Sequence, residues 1–147
     1  ARVLSGMKHL VVPEAPAPPS SDLVLGFVGL WFMVDEAHIT AIAVASPWRR
    51  RGLGELLLIG ALEVAMAHHS RVVTLEARVS NVSAQALYEK YGFRKVGLRR
   101  GYYIDNHEDA VIMTTDPIQT PEYQAFYRSL VARYEARHGS IALSLPR

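Results

Sequence analysis

The chain contains no cysteine, and this absence excludes several kinds of chemistry. Without thiols there are no disulfides, no thiolate zinc sites and no cysteine nucleophile. Long apolar runs are also missing, because the longest uncharged stretch, Leu23 to Val34, is well short of a membrane-spanning helix. No charged-then-apolar leader opens the chain. We therefore expect a cytoplasmic protein with no membrane partner.

A strong charge of either sign is missing as well. The 147 residues carry a formal net charge of +2, half of them are hydrophobic and a fifth are charged. This balance is ordinary for a globular protein and gives no reason to expect a nucleic-acid partner. The length predicts one domain with a proper core. The histidines do not stand with carboxylates at a metal-ligand spacing, so we predict no metal site.

The six residues from Arg49 to Gly54 (Arg-Arg-Arg-Gly-Leu-Gly) join a strand to a helix. Before them, Ile42 to Ala45 has strand composition, and Ser46-Pro47 ends it; after them a long apolar helix is predicted from about Gly52 to His69. Free N–H groups and the macrodipole at a helix N-terminus attract anions. Glycines permit close approach of the backbone, and arginines add forked donors. The turn therefore predicts a pyrophosphate-binding loop.

Two common pyrophosphate motifs are absent from this loop. A mononucleotide P-loop requires Lys-Ser or Lys-Thr after its last glycine, and neither follows Gly54. A dinucleotide fingerprint requires a third glycine, where this chain has Leu57. The spacing that is left, Arg-x-x-Gly-x-Gly, resembles the acyl-CoA loop of the GNAT acetyltransferase superfamily.

The rest of the pattern predicts an α+β fold. Residues 13–21 contain four prolines and predict an extended loop. A short helix is predicted after Asn81, and a last helix from Pro121 to about Arg137 with an apolar face of Tyr123, Phe126, Leu130 and Tyr134. The order β-β-α-β-α-β-β-α predicts a mixed sheet with a parallel strand–helix–strand unit from Ala37 to Val79. Strands are predicted for Leu23 to Met33, Ala37 to Ala45, Arg71 to Val79, Phe93 to Leu98 and Ala110 to Thr114.

Three further stretches make the resemblance to GNAT acetyltransferases more specific. They are Leu75 to Asn81 (Leu-Glu-Ala-Arg-Val-Ser-Asn), Ala84 to Phe93 (Ala-x-x-Leu-Tyr-x-x-x-Gly-Phe) and Arg99 to Tyr103 followed by Glu108 to Met113. The last of these resembles the RimI-like branch, the ribosomal-protein-alanine N-acetyltransferases, which acetylate protein N-terminal α-amines. The resemblance covers about Val34 to Thr115.

The resemblance implies a domain organisation. Residues 1–116 would form the GNAT domain, with a mostly antiparallel mixed sheet flanked by helices, and residues 117–147 a C-terminal helical extension. GNAT domains normally begin with a strand and two helices that shape the acceptor site, whereas about twenty residues precede Leu23 here. We expect either that this N-terminal part lies outside the chain or that part of the acceptor wall is absent.

The resemblance also implies acetyl-CoA as co-substrate and a set of residues that hold it. The backbone of Ile42, Ala43 and Val44 would pair with the pantetheine arm and supply an oxyanion donor. Asn81 would bind the pantetheine amides. The alternative for Ile42 to Val44 is a plain core strand, for Asn81 a helix N-cap, and for the loop that begins at Arg49 a solvated basic turn. The pyrophosphate would lie on Arg49, Arg50, Arg51, Gly52, Leu53, Gly54 and Glu55.

Two residues are candidates for proton transfer. Glu76 is the candidate base for an amine whose pKa is near 8, and Tyr88 the candidate acid for the leaving thiolate. The alternatives are a strand carboxylate paired with Arg78 or a lysine, and a core aromatic residue. The candidates for lining the acceptor entry are Arg99, Arg100, Tyr102 and Tyr103. The alternative for these residues is a plain strand-edge surface.

The predicted function is acetyl transfer from acetyl-CoA to a primary amine, most specifically the N-terminal α-amine of a protein such as a ribosomal protein. One alternative is a different amine acceptor: a lysine side chain, a polyamine or an aminoglycoside. The other is a CoA-binding module without catalysis.

Overall fold

The structure is a computed structural model that describes residues 2–5, 8–11, 25–49 and 51–144. The predicted proline-rich loop at 13–21, the start of the strand predicted from Leu23, and Arg50 lie outside these residues. Within them the strands are β1 (Arg2–Ser5), β2 (Lys8–Val11), β3 (Gly26–Met33), β4 (Glu36–Val44), β5 (Val72–Arg78), β6 (Phe93–Arg99), β7 (Ala110–Thr115) and β8 (Ala142–Ser144). The helices are α1 (Leu53–Ala67), α2 (Val82–Lys90) and α3 (Pro121–His138), with a short 3₁₀ turn at Ser46–Trp48.

The main sheet has five strands in the order β3-β4-β5-β7-β6. Strand β4 pairs in parallel with β5, and the other neighbours pair antiparallel. The helix that connects the parallel pair is α1, as a parallel crossover requires. The prediction of a mixed, mostly antiparallel sheet with a central parallel strand–helix–strand unit is confirmed.

Alternation along β5 determines which side chains reach the core. Val73, Leu75 and Ala77 are buried against α1, which is itself buried along most of its length. Thr74, Glu76 and Arg78 therefore lie on the opposite face of the sheet. Strand β3 follows the same rule, since Val28 is buried while Phe27 and Trp31 are exposed on the face of Glu76.

Helix α3 packs on the same core as α1. Tyr127 is fully buried, and its hydroxyl donates to Glu63 Oε1 of α1 over 2.9 Å. The predicted apolar face was wrong at one position: Phe126 is exposed, and the buried stripe is Tyr123, Tyr127, Leu130 and Tyr134. The physical reason is that the spacing i, i+4, i+7, i+11 follows one side of the helix, from which position 126 is turned away. The division at residues 116 and 117 stays a prediction.

A second, three-stranded sheet has the order β1-β2-β8 and was not predicted as a unit. Its third strand, Ala142–Ser144, is short and lies far along the chain from the other two, so the sequence gives no local signal of this pairing. Among the described helices, none is long and apolar enough to cross a membrane.

Candidate active site

Strands β4 and β5 separate part of the way along the sheet. Their register runs from Glu36↔Val72 to Ile39↔Leu75, while β4 continues to Val44. On its other side β4 stays paired with β3 as far as Gly26↔Val44. The edge of β4 beyond Ile39 that faces β5 therefore offers backbone donors and acceptors to a ligand.

A groove of about 550 Å³ lies at this divergence. It lies between the end of β4, the first turn of α1 and one face of α2. Most of the residues predicted to hold acetyl-CoA meet in it, although they are spread over forty positions of the chain, from Ile42 to Asn81. The lining residues are Ile42, Ala43, Val44, Arg49, Gly52, Leu53, Gly54, Asn81, Ser83, Ala84 and Leu87.

The N-terminus of α1 opens into this groove. Gly52 is its N-cap residue with φ 78°, a left-handed conformation that a side chain would strain, and no side chain caps the helix there among the described residues. The first N–H with an intrahelical acceptor is that of Leu56, which donates to the Gly52 carbonyl over 3.1 Å. At Gly54 an added Cβ would meet nothing within 4 Å. The terminus therefore offers N–H groups and open space to an anion.

The charged residues of the loop have different surroundings. Arg49 lines the groove, and its Nε donates to the Val44 carbonyl over 3.2 Å. The Arg51 guanidinium lies over the Trp48 ring, 5.4 Å from its centroid. The Glu55 carboxylate lies on the far side of the loop, where the Tyr91 hydroxyl donates to it over 2.5 Å and Lys90 over 3.1 Å. Of the polar groups of Glu55, the backbone N–H is therefore the one available to a bound anion.

Asn81 caps α2, and it also lines the groove. Its Oδ1 accepts from the Ala84 N–H over 3.1 Å and so caps α2. The same side chain lines the groove, and its amide nitrogen carries two further hydrogens that can be donated. The N-cap therefore does not exclude a contact with a ligand.

Glu76 lies on the sheet face opposite α1, between two donors. Its Oε2 is 2.5 Å from His38 Nε2, and its Oε1 accepts from Arg99 Nε over 3.3 Å. The Glu76 side chain is only 8% exposed, against 56% for Arg99. The expected alternative partner, Arg78, does not contact Glu76 in these hydrogen bonds. Both carboxylate oxygens are thus oriented, and each keeps a lone pair that can accept a proton.

Tyr88 lies on α2 with its ring 5.8 Å from that of Phe93. Burial raises the pKa of its phenol above the ordinary value of 10, and the nearby phenol of Tyr103 raises it further. Burial also raises the pKa of Tyr103, on which the charges of Arg78 and Glu76 act as well. Tyr103 therefore lies near both Glu76 and Tyr88.

Arg78 organises the loop between β6 and β7. Its guanidinium donates to both carboxylate oxygens of Asp105 over 3.1 Å and to Glu108 Oε1 over 3.3 Å. It also stacks on Tyr103, 3.9 Å from the ring centroid. The other oxygen of Glu108 accepts from the Ser80 N–H over 2.7 Å. This network holds Tyr103, and with it the neighbouring Tyr102, beside the face that carries Glu76.

Two residues of this site, His38 and Arg78, were not predicted to act in it. His38 looked isolated because it lies 38 positions before Glu76, and only the parallel register His38↔Thr74 brings them together. A signal existed for Arg78, since it lies two positions after Glu76 and so on the same face of β5. Within the described ranges, no group of three or more His, Cys, Asp or Glu side chains is placed to hold a metal ion.

Comparison with known proteins gives consistent matches. The pattern of the Acetyltransferase (GNAT) family matches residues 11–93. A putative [ribosomal protein bS18]-alanine N-acetyltransferase of Bacillus subtilis is 46% identical over 88 residues, which cover 60% of this chain and 58% of that protein. The [ribosomal protein bS18]-alanine N-acetyltransferase of Salmonella typhimurium is 38% identical over 96 residues, 64% of this chain and 65% of that protein.

Among solved structures, the ribosomal-protein-S18-alanine N-acetyltransferase from Escherichia coli superimposes with a TM-score of 0.62 and 36% identity. The match covers 69% of this chain and 66% of that one. The chain thus spans less than two thirds of the length of these relatives.

Proposed function

The chain belongs to the acetyltransferase (GNAT) family, and from this premise we propose that it transfers an acetyl group from acetyl-CoA to the N-terminal α-amine of a protein. The observation that carries the proposal is the groove at the divergence of β4 and β5, which combines a free strand edge with an open helix N-terminus. The names of the relatives support a ribosomal protein as the acceptor. When bound, acetyl-CoA supplies a thioester whose carbonyl carbon would bond to the amine nitrogen while its bond to sulfur breaks and CoA leaves as a thiolate.

The groove fits acetyl-CoA in three respects. Its pyrophosphate is a dianion of the kind that the N–H groups of Leu53, Gly54 and Glu55 and the guanidinium of Arg49 would bind. The extended pantetheine arm carries amides that match the free edge of β4. The amide nitrogen of Asn81 is a further donor at the same wall. A backbone N–H between Ile42 and Val44 would stabilise the oxyanion.

Glu76 would act on the amine. An α-amine with a pKa near 8 is partly neutral at pH 7, so a carboxylate that takes its proton directly or through water suffices. His38 and Arg99 hold the carboxylate in one orientation, so it is already positioned when the amine approaches. The polar face of β5 and the tyrosines after β6 form the wall along which the acceptor would approach.

Tyr88 would return a proton to the leaving thiolate. A phenol of ordinary pKa 10 is already protonated at neutral pH, and burial raises the pKa of Tyr88 further, so the hydroxyl gives up its proton only as charge develops on sulfur. Glu76 would therefore take one proton from the amine and Tyr88 would deliver one to the thiolate, so that the reaction is neutral overall.

The test is acceptor-dependent thiol release by purified protein and by two variants. Glu76→Gln and Tyr88→Phe are each expected to lower kcat by about 10²-fold or more, with little change in the KM for acetyl-CoA. Glu89→Gln and Tyr123→Phe are matched controls, since they alter a carboxylate paired with Lys95 and a hydroxyl bonded to the Tyr91 carbonyl. Wild-type activity in the two site variants would remove the assigned roles. Tight binding of CoA without turnover of any amine would favour the non-catalytic module.

A further inference from the structure

Helix α3 lies after the segment matched by the family pattern, yet its last turn contacts the loop at the N-terminus of α1. The Tyr134 hydroxyl donates to the Gly52 carbonyl over 2.9 Å. The imidazole of His138 lies against Gly52, since a Cβ added there would be 2.9 Å from its Cε1 and Nε2 atoms. Arg137 Nη2 lies 3.5 Å from Glu55 Oε1. Three side chains of one helix thus contact two residues of the loop, Gly52 and Glu55.

The spacing of these three residues explains why they act together. Tyr134, Arg137 and His138 stand at i, i+3 and i+4, so they share one face of α3. Farther toward its N-terminus the same helix is fixed to α1, because Tyr127 donates to Glu63 and Arg128 contacts the same carboxylate over 3.0 Å. The last turn of α3 is therefore held in place against the loop.

The contact of Tyr134 has a consequence for the groove, which follows from the planarity of the peptide unit. The Gly52 carbonyl and the Leu53 N–H belong to one rigid plane and point in opposite directions. The carbonyl accepts from Leu56 N–H and from Tyr134, and fixing it on the α3 side fixes the Leu53 N–H on the groove side. Gly52 itself has the left-handed conformation that a flexible glycine would otherwise leave easily.

We propose that Tyr134 is a positioning residue for donor binding, and that the last turn of α3 holds the pyrophosphate loop in its binding conformation. This inference rests on the proposed function in assigning the loop to the pyrophosphate of acetyl-CoA. It assigns α3, a helix beyond the matched family segment, a part in the donor site rather than only in the core. Burial raises the pKa of the Tyr134 phenol to about 12, so the hydroxyl remains a donor at neutral pH.

The experiment compares Tyr134→Phe with Tyr123→Phe. Both variants remove one hydroxyl of α3 that donates to a backbone carbonyl, but Tyr123 donates to Tyr91, over 2.8 Å, and not to the loop. Calorimetric titration with CoA is expected to give a Kd about threefold to tenfold higher for Tyr134→Phe, the size of one lost hydrogen bond. The KM for acetyl-CoA should rise by the same factor, with kcat and the acceptor KM unchanged. Tyr123→Phe should bind CoA like wild type.

Hydrogen exchange at the Leu56 amide, which donates to the same Gly52 carbonyl as Tyr134, tests the inference without any ligand. Faster exchange there in Tyr134→Phe, but not in Tyr123→Phe, supports the positioning role even if the wild type binds no CoA, in which case the proposed function fails alone. Unchanged exchange, or equal CoA affinity in the two variants, overturns the inference while leaving the proposed function intact. His138→Ala, which removes the ring beside Gly52, serves as the second variant if Tyr134→Phe does not fold.

Discussion

Replacing Gly54 by alanine should separate the stability of the fold from the binding of the donor. Gly54 is the second residue of α1, it lines the groove, and an added Cβ would meet no atom of the protein within 4 Å. Gly54 is not one of the described glycines that have a positive φ. The methyl group would therefore project into the groove without straining the protein.

The two expected effects have opposite signs. Alanine is favoured over glycine within a helix by up to about 1 kcal/mol, which corresponds to a rise in Tm of roughly 2–4 °C for a chain of this size. A methyl group in a closely packed ligand site costs on the order of 1–3 kcal/mol. The Kd for CoA should therefore rise by about tenfold or more, although the protein is at least as stable as the wild type.

Thermal denaturation without ligand and calorimetric titration with CoA measure the two quantities. Gly97→Ala is a matched control, because Gly97 lies on β6 outside the groove, where an added Cβ would be 3.4 Å from Ile112 of β7. If Gly54→Ala folds and binds CoA with wild-type affinity, the pyrophosphate does not lie against this turn, and the assignment of the loop is refuted.

Three further predictions concern the acceptor side. His38→Leu removes one of the two groups that orient Glu76, so kcat should fall by about tenfold to a hundredfold with the acetyl-CoA KM unchanged. Arg78→Lys replaces a forked donor by a point charge, so the loop that carries Tyr103 should loosen and the acceptor KM should rise about tenfold while the acetyl-CoA KM stays constant. Hydrogen bonds from Ser80, then Arg78 and Asn106, lower the pKa of Glu108, so its contribution to stability is present above the ordinary value of 4.5 and is lost as the pH falls through its lowered pKa. Thermal melts from neutral to acidic pH should therefore show a smaller loss for Glu108→Gln than for wild type.

Each of these predictions has a result that contradicts it. A kcat of wild-type size in His38→Leu would mean that Arg99 alone orients Glu76. A rise in the acetyl-CoA KM of Arg78→Lys would place Arg78 in the donor site instead of beside the acceptor. Parallel pH dependences of wild type and Glu108→Gln would show that the Ser80 and Arg78 contacts do not stabilise the folded protein.

The main sheet and the donor loop were predictable because local patterns determine them. The alternation of Val73, Leu75 and Ala77 fixes which side of β5 is buried, and the glycines and apolar run after Arg49 mark the start of α1. The pairing of β4 with β5 follows from the rule for parallel crossovers. These features depend on residues near one another in the chain.

The parts that sequence did not predict depend on register and on tertiary contact. His38 and Glu76 meet only because β4 and β5 pair with one particular register, and Arg78 selects Asp105 and Glu108 over the neighbouring Glu76. The contact of Tyr134 with Gly52 spans 82 positions. The apolar face of α3 was misjudged at Phe126 because helical spacing allows two adjacent stripes, and packing against α1 selects the one that contains Tyr127.

Acetylation of an N-terminal α-amine is tested most directly by mass spectrometry of an acceptor peptide incubated with acetyl-CoA and the protein. The peptide should begin with alanine and contain an internal lysine, and a second copy should have its α-amine blocked. We expect one added acetyl group on the α-amine of the first peptide and none on the blocked peptide. Acetylation of the lysine in both peptides, or of neither peptide, would contradict transfer to an N-terminal α-amine.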